Sequence, residues 1–208
     1  MKRSYRYASL VLVVAIAVLA LAACGGSVSV GSSPAGQSTG ANGQNTYTND
    51  QYGFSITPDA QLKKGDPTNS DGAGGSPVFQ VIFADPNGAQ SSSAYLDAQQ
   101  VSVYKLTRSV KASEVPGLKS ELTGMVDQLM SSLTDAQLVQ KLTPVTVNGV
   151  PGFAIKYTFT DSGKALTMAS VFLFKGEYEY QIASQAATEH WDALKGKFES
   201  GVQSFTVQ

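Results

Sequence analysis

The dipeptide Asn148-Gly149 stands between two β-rich segments, residues 138–147 and 150–160. Both residues tolerate the positive φ that a two-residue type I′ turn demands, and Asn-Gly between alternating apolar runs is the strongest short-range hairpin signal. Asp161-Ser162-Gly163 supplies a second turn into residues 166–174, and Lys175-Gly176 a third into residues 177–183. Four strands joined in this way predict an antiparallel meander. The C-terminal half of the chain is thereby committed to a sheet whose neighbours in space are neighbours in sequence.

The upstream half adds strands and one helix. Tyr52, Phe54 and Ile56 alternate after an Asn49-Asp50-Gln51 turn that divides two short strands between Tyr47 and Pro58. Residues 63–77 are rich in Gly, Asp, Asn, Ser and Pro without periodicity and read as a long exposed loop. Residues 78–83 and 100–106 read as two further strands, the second with Val101 and Val103 set against Ser102 and Tyr104. Val115, Leu118, Leu122, Met125, Val126, Leu129, Met130 and Leu133 recur at three- and four-residue steps, which predicts an amphipathic helix over residues 113–133 starting at Ser113. Trp191, Leu194, Phe198 and Val202 predict a terminal helix with Thr188 as its N-cap, and Ser204-Phe205-Thr206-Val207 a short edge strand or docked tail. Strands, helix, strands and helix in that order give an α+β fold, an antiparallel sheet sandwiched by helices.

The N-terminus has a different logic. Lys2, Arg3 and Arg6 precede an apolar run of about 13 residues, which is short of the ~20 needed to span a bilayer. Residues 1–23 therefore read as a signal peptide. The run ends in Leu21-Ala22-Ala23-Cys24, which resembles the lipobox of bacterial lipoproteins, where a diacylglycerol is attached to the cysteine and the chain is cut before it. Cys24 is the only cysteine, and an unpaired exported thiol is a reactive liability unless something consumes it. Two acyl chains, the palmitate-type anchor expected here, hold durably where one holds marginally. Residues 24–45 carry Gly, Ser, Ala, Asn and Gln and no charge, so they read as a lipidated flexible tether with a reach of about 25 Å, followed by one globular domain at 46–208. The expected location is the extracytoplasmic face of the cell membrane.

Removing residues 1–23 takes three of the 15 Lys and Arg and none of the 16 Asp and Glu, leaving a net charge of about −4. An acidic domain of this kind is not expected to bind nucleic acid, which needs a basic face. The single histidine, His190, and the absence of a free thiol rule out a closed nitrogen and sulfur metal site. As a base, His190 needs a nucleophile and an orienting carboxylate, and the sequence indicates neither. Asp66, Asn69 and Asp71 faintly suggest a calcium loop, but Pro67 breaks the ligand alternation and Pro77 occupies the twelfth position, where a glutamate is required. Gly72, Gly74 and Gly75 are followed by neither a helix nor a Lys-Ser/Thr pair, so no phosphate cradle is expected. No cofactor and no catalytic residue are expected. Tyr157, Phe159, Phe172, Phe174, Tyr178 and Tyr180 alternate along the meander. One set is expected in the core, and Tyr178 and Tyr180, flanked by Glu177 and Glu179, form the expected partner-facing patch.

Two stretches resemble a known family. Tyr52-Gly53-Phe54-Ser55-Ile56 is similar to the first strands of the PsbP/Mog1-like superfamily. So is the ending, where Val147-Asn148-Gly149-Val150-Pro151-Gly152-Phe153 leads to a long hairpin, a helix bearing Trp191 and then Ser204-Phe205. Actinobacterial LpqN-type lipoproteins look similar too. The resemblance implies an antiparallel sheet sandwiched by helices, and members that act as extrinsic subunits or binding partners rather than catalysts. The loop at residues 66–76 has no place on the family pattern. The expected function is a non-enzymatic binding or accessory module for an envelope protein or a small apolar ligand. The alternative is an envelope hydrolase or carrier that uses loop carboxylates.

Replacing Cys24 by alanine should abolish incorporation of labelled palmitate and move the protein from the membrane pellet to the soluble fraction, with the domain still folded by circular dichroism. A Cys24→Ala chain that remains in the pellet would overturn the anchor.

Overall fold

The computed structural model describes residues 37–39, 45–91 and 94–208. The expected signal peptide and Cys24 lie outside the described residues. Eleven strands and two α-helices are described, in two antiparallel sheets.

The two Gly-containing turns with paired positive φ form as expected. β8 (Thr134–Val147) and β9 (Val150–Asp161) join through Asn148 and Gly149, at φ 46° and 83°. β9 joins β10 (Lys164–Ala187) through Ser162 and Gly163, at φ 49° and 77°. The expected third turn does not form. β10 runs for 24 residues through Lys175-Gly176, where only Gly176 takes a positive φ, 63°. Lys at the first position suits neither two-residue hairpin turn, which need positive φ there, so the glycine is accommodated as a bulge instead of a reversal.

At that bulge β10 changes partners. Residues 164–173 pair with β9, and residues 176–185 pair with β7 (Ala98–Val110), with a register shift between Gly176 and Tyr178. Across it two residue steps on β10 stand against five on β7, from Val110 to Lys105, and the side chains of β10 that follow change face. Leu166, Met168, Phe172 and Phe174 accordingly join one core cluster, while Tyr180 and Ile182 join the other. β6 (Phe79–Ala84) flanks β7, and the two-residue strands β4 (Lys63–Lys64) and β5 (Thr68–Asn69) pair with β6 in turn. The stretch expected to be a plain loop thus covers a sheet edge in two short pieces, a common way to blunt an edge strand.

One core lies under α1 (Lys119–Ser132), where Leu122, Val126 and Leu129 pack on Phe153, Ile155, Tyr157 and Phe172. The helical segment begins earlier, as expected, but residues Ala112–Leu118 are 3₁₀ around Pro116, which has no N–H to donate. Its start is capped by Glu114, whose carboxylate accepts the Lys111 N–H at 2.8 Å, and not by Ser113.

The second core lies between the large sheet, α2 (Trp191–Ser204) and a small sheet of β1 (Gln37–Thr39), β2 (Asn45–Asn49), β3 (Phe54–Ile56) and β11 (Thr206–Val207), in the order β1-β2-β3-β11. Trp191, Leu194 and Phe198 face inward as expected, but Gly201 completes the buried stripe and Val202 is only half-buried. Thr188 is not the cap: its hydroxyl pairs with that of Thr167 at 3.1 Å, and the helix begins after His190. Gln37–Thr39 lies inside the segment read as a tether and pairs with β2, a polar edge strand with no apolar signature. Asn148 closes the layers by donating to the carbonyls of Gln203 and Phe205, both at 2.8 Å.

Gly152 sits where β9 meets β10, and a Cβ there would run into the Phe172 carbonyl, within 2.9 Å of its carbon. Backbone cannot rotate away as a side chain can, so Gly152→Ala should lower stability by about 2–3 kcal/mol, read as a lower urea midpoint at unchanged slope. An unchanged midpoint would show that the two strands do not approach this closely.

Candidate functional site

Strand pairing builds a polar row on the large sheet. Glu179 lies opposite Tyr104, Gln181 opposite Ser102, and Ala183 opposite Gln100, while β6 contributes Gln80 opposite Ser102. These groups occupy the face opposite Val101, Val103, Tyr180 and Ile182, so simple alternation predicts that water covers them. Instead Gln100, Ser102, Tyr104, Glu179 and Gln181 are all buried. Most of the row is satisfied internally: the Gln100 amide donates to Ser102 Oγ at 2.6 Å and the Gln80 amide to the same oxygen at 3.2 Å.

Glu179 is the exception. It is 1 % exposed, and its Oε1 has no hydrogen-bond partner among the described residues. Burial alone pushes its pKa up to about 8, with no neighbouring cation to hold it down. Its negative form in turn adds to the burial that raises the Tyr104 phenol. At neutral pH the Glu179 carboxyl is therefore mostly protonated.

Glu179 lines a cleft of about 300 Å³ between the sheet and the glycine loop. Tyr104, Lys105, Leu106 and Thr107 form the β7 wall, and Asp71, Gly72, Gly75, Ser76 and Val78 the opposing one. The loop is tied at its neck, where the Ser70 hydroxyl donates to the Pro77 carbonyl at 2.6 Å and the Ser70 N–H to the Val78 carbonyl at 3.1 Å. Gly72 adopts φ 73°, and a Cβ there would also lie 2.9 Å from Val78 Cγ1, so both backbone and space require glycine. Asp71 turns one oxygen back to the Ala73 N–H at 2.9 Å, the use of an Asx turn and not of a calcium ligand. No group of three His, Cys, Asp or Glu able to hold a metal occurs among the described residues. A second cleft, of about 240 Å³, is lined by Tyr47, Asp59, Lys63 and Lys64 among others, so both clefts described here have charged walls.

Of the expected patch, Tyr180 is 2 % exposed and its hydroxyl donates to the Tyr52 carbonyl at 2.8 Å. Tyr178 is half-buried, edge-on to Tyr52 at 5.7 Å between ring centroids. The Gly176 bulge turns both inward, so they hold the small sheet to the large one and do not form a surface. The sequence signal for this polar row was the near absence of charged residue types: Glu179 is the one Asp, Glu, Lys, Arg or His in residues 98–104 and 178–187.

His190 does have an orienting carboxylate. Its Nδ1 lies 2.7 Å from Asp97 Oδ2, and Asp97 also accepts the Ala89 and Ala187 N–H groups at 2.8 and 2.9 Å. The hydrogen bond to Asp97 and then its charge raise the His190 pKa. No hydroxyl or thiol meets the ring among the described residues. Asp97, buried and accepting three donors, ties the start of β7 to the end of β10 and to the loop at Ala89.

Glu179 gives the fold a pH dependence of definite sign. The folded carboxyl keeps its proton to about pH 8, whereas the unfolded one releases it near pH 4.3. Between those values the unfolded state binds fewer protons, so stability falls as pH rises and is fully present only below the unfolded pKa. The unfolding free energy from urea titration should drop between pH 5 and 8, by an amount on the order of a few kcal/mol, and Glu179→Gln should flatten that drop and be the more stable chain at pH 8. Parallel wild-type and variant curves would exclude Glu179 as the titrating group.

No protein-family description matches this sequence, and no curated protein matches it. Among solved structures it is similar to the cyanobacterial PsbP (CyanoP) from Synechocystis sp. PCC 6803, with a TM-score of 0.51 and 13 % identity over 86 % of this chain and 98 % of that one. LpqN of Mycobacterium tuberculosis, described as involved in cell envelope biogenesis, matches with a TM-score of 0.45 and 12 % identity over 76 % of this chain and 94 % of its own. The Saccharomyces cerevisiae Ran-binding protein Mog1p matches at 0.43 and 10 %, over 79 % and 95 %. Identities this low establish architecture alone, and the architecture is an α+β domain whose fold is like that of the cyanobacterial PsbP.

Proposed function

We propose that this protein is an extracytoplasmic lipoprotein, anchored through Cys24, whose domain is a non-enzymatic binding or accessory module using the cleft between the glycine loop and β7. The observation that carries this reading is Glu179, a fully buried carboxyl with Oε1 unanswered in the wall of an open cleft. An unsatisfied buried polar atom costs about 1–3 kcal/mol, a cost that a partner supplying a donor removes. The anchor is supported by the tripartite leader and the Leu21-Ala22-Ala23-Cys24 sequence. The charged walls argue for a ligand or partner segment with polar groups in place of the apolar ligand expected from sequence.

Against a hydrolase, the loop carboxylate of Asp71 is engaged by its own turn and the His190 pair is built into strand connections. A binding role needs neither.

A photo-crosslinking residue placed at Thr107, in the cleft wall, should capture one reproducible species in intact cells, whereas the same residue at Asp127, on the exposed side of α1, should not. Failure to capture anything at Thr107, together with turnover of esters or amides by the purified chain, would replace the binding reading with the hydrolase one.

A further inference from the structure

We infer that the cleft takes a compact organic cation, a primary amine, whose ammonium group donates to Glu179 Oε1 while Asp71 faces it across the cleft; this rests on the cleft being the binding site. The first ground is hydrogen-bond chemistry. The orphaned Oε1, once its carboxyl is ionised, can only accept and needs a donor, and an ammonium group brings three donors and no acceptor. The second is charge. Glu179 and Asp71 both line the cleft, and the one basic residue in the lining, Lys105, forms no ion pair among the described residues.

Burial alone raises the Glu179 pKa, with no contribution from Lys105 or any other cation. An ammonium group would be the first cation to offset that burial. The third ground is size: about 300 Å³ is at the small end of ligand clefts and suits a molecule of few heavy atoms. A metal ion is disfavoured because no three ligating side chains converge among the described residues.

Binding carries a proton signature. The groups facing Glu179 are Tyr104 on β7 and Asp71 on the loop, with Lys105 at the edge. Near pH 7 the carboxyl is protonated and the incoming amine already carries its charge. The carboxyl proton then leaves to the buffer as the carboxylate–ammonium pair forms, so one amine bound means close to one proton released.

The test is calorimetric titration of the full lipidated chain in detergent micelles at pH 7. Ethanolamine, n-propylamine and putrescine are the amine probes, and ethylene glycol and n-propanol the neutral counterparts, each in phosphate and in HEPES, neither of which is a primary amine. One or more amines should bind saturably, with a heat that differs between the buffers by close to one proton's ionisation, and at least about tenfold more tightly than the neutral counterparts. Glu179→Gln should lose binding by about tenfold or more and lose the buffer dependence, and Thr107→Trp, which fills the cleft from the β7 wall, should weaken binding comparably. The inference is overturned if no amine saturates, if amine and neutral counterpart bind alike, or if either variant binds as wild type does. Absent amine binding with crosslinking at Thr107 retained rejects the ligand class and leaves the cleft reading standing; loss of both rejects the two together.

Discussion

The exchange of partners along β10 is the constraint on which the rest of the domain depends. A single 24-residue strand pairs with β9 before Gly176 and with β7 after it, so both halves of the large sheet hang on one continuous backbone. The bulge that allows the exchange also reverses the faces. Phe172 and Phe174 consequently pack toward α1, and Tyr180 and Ile182 toward α2 and the small sheet. Two cores separated by one sheet follow from this change of face, each burying aromatic and aliphatic side chains that contribute about 1.5–3 kcal/mol apiece.

The same reversal produces the site. With Tyr180 and Ile182 turned into the second core, Glu179 and Gln181 must take the face that carries the α1-side cluster farther along the strand. There they meet Tyr104 and Ser102 of β7 and the underside of the glycine loop. Had the chain reversed at Lys175-Gly176, β10 would have ended before reaching β7 and this row would not exist. A polar row of glutamine, serine and tyrosine is stable under cover because its members satisfy one another, and Glu179 stands out because its Oε1 does not find such a partner.

Much of the fold was legible in the sequence, and the reasons are local. Asn148-Gly149 forms a hairpin because both central residues accept positive φ wherever they occur, and at Ser162-Gly163 the glycine does so while Ser162 follows it to φ 49°. The helix from Pro116 to Leu129 and the stripe of Trp191, Leu194 and Phe198 show in spacing because one face of a helix repeats every 3.6 residues. Phe205 and β11 are visible as a short apolar tail, although their docking on β3 beneath Asn148 is a tertiary event. Less of the site was legible. Tyr178 and Tyr180 looked like a surface because a turn was expected before them, and Asp97 could not be matched to His190 because the two lie on segments far apart in sequence.

By itself, then, the sequence determined two of the three turns expected in the meander, the two helical stripes and the α+β class, all of which depend on residues within one or two turns of chain. Tertiary structure decided that Lys175-Gly176 bends the strand without reversing it, that Tyr180 is core, and that the Glu179 face is covered. Those outcomes depend on which distant strand offers its open hydrogen-bonding edge and which loop closes over a polar row. No local property of Glu179 distinguishes a carboxylate in water from a carboxyl held in a cleft.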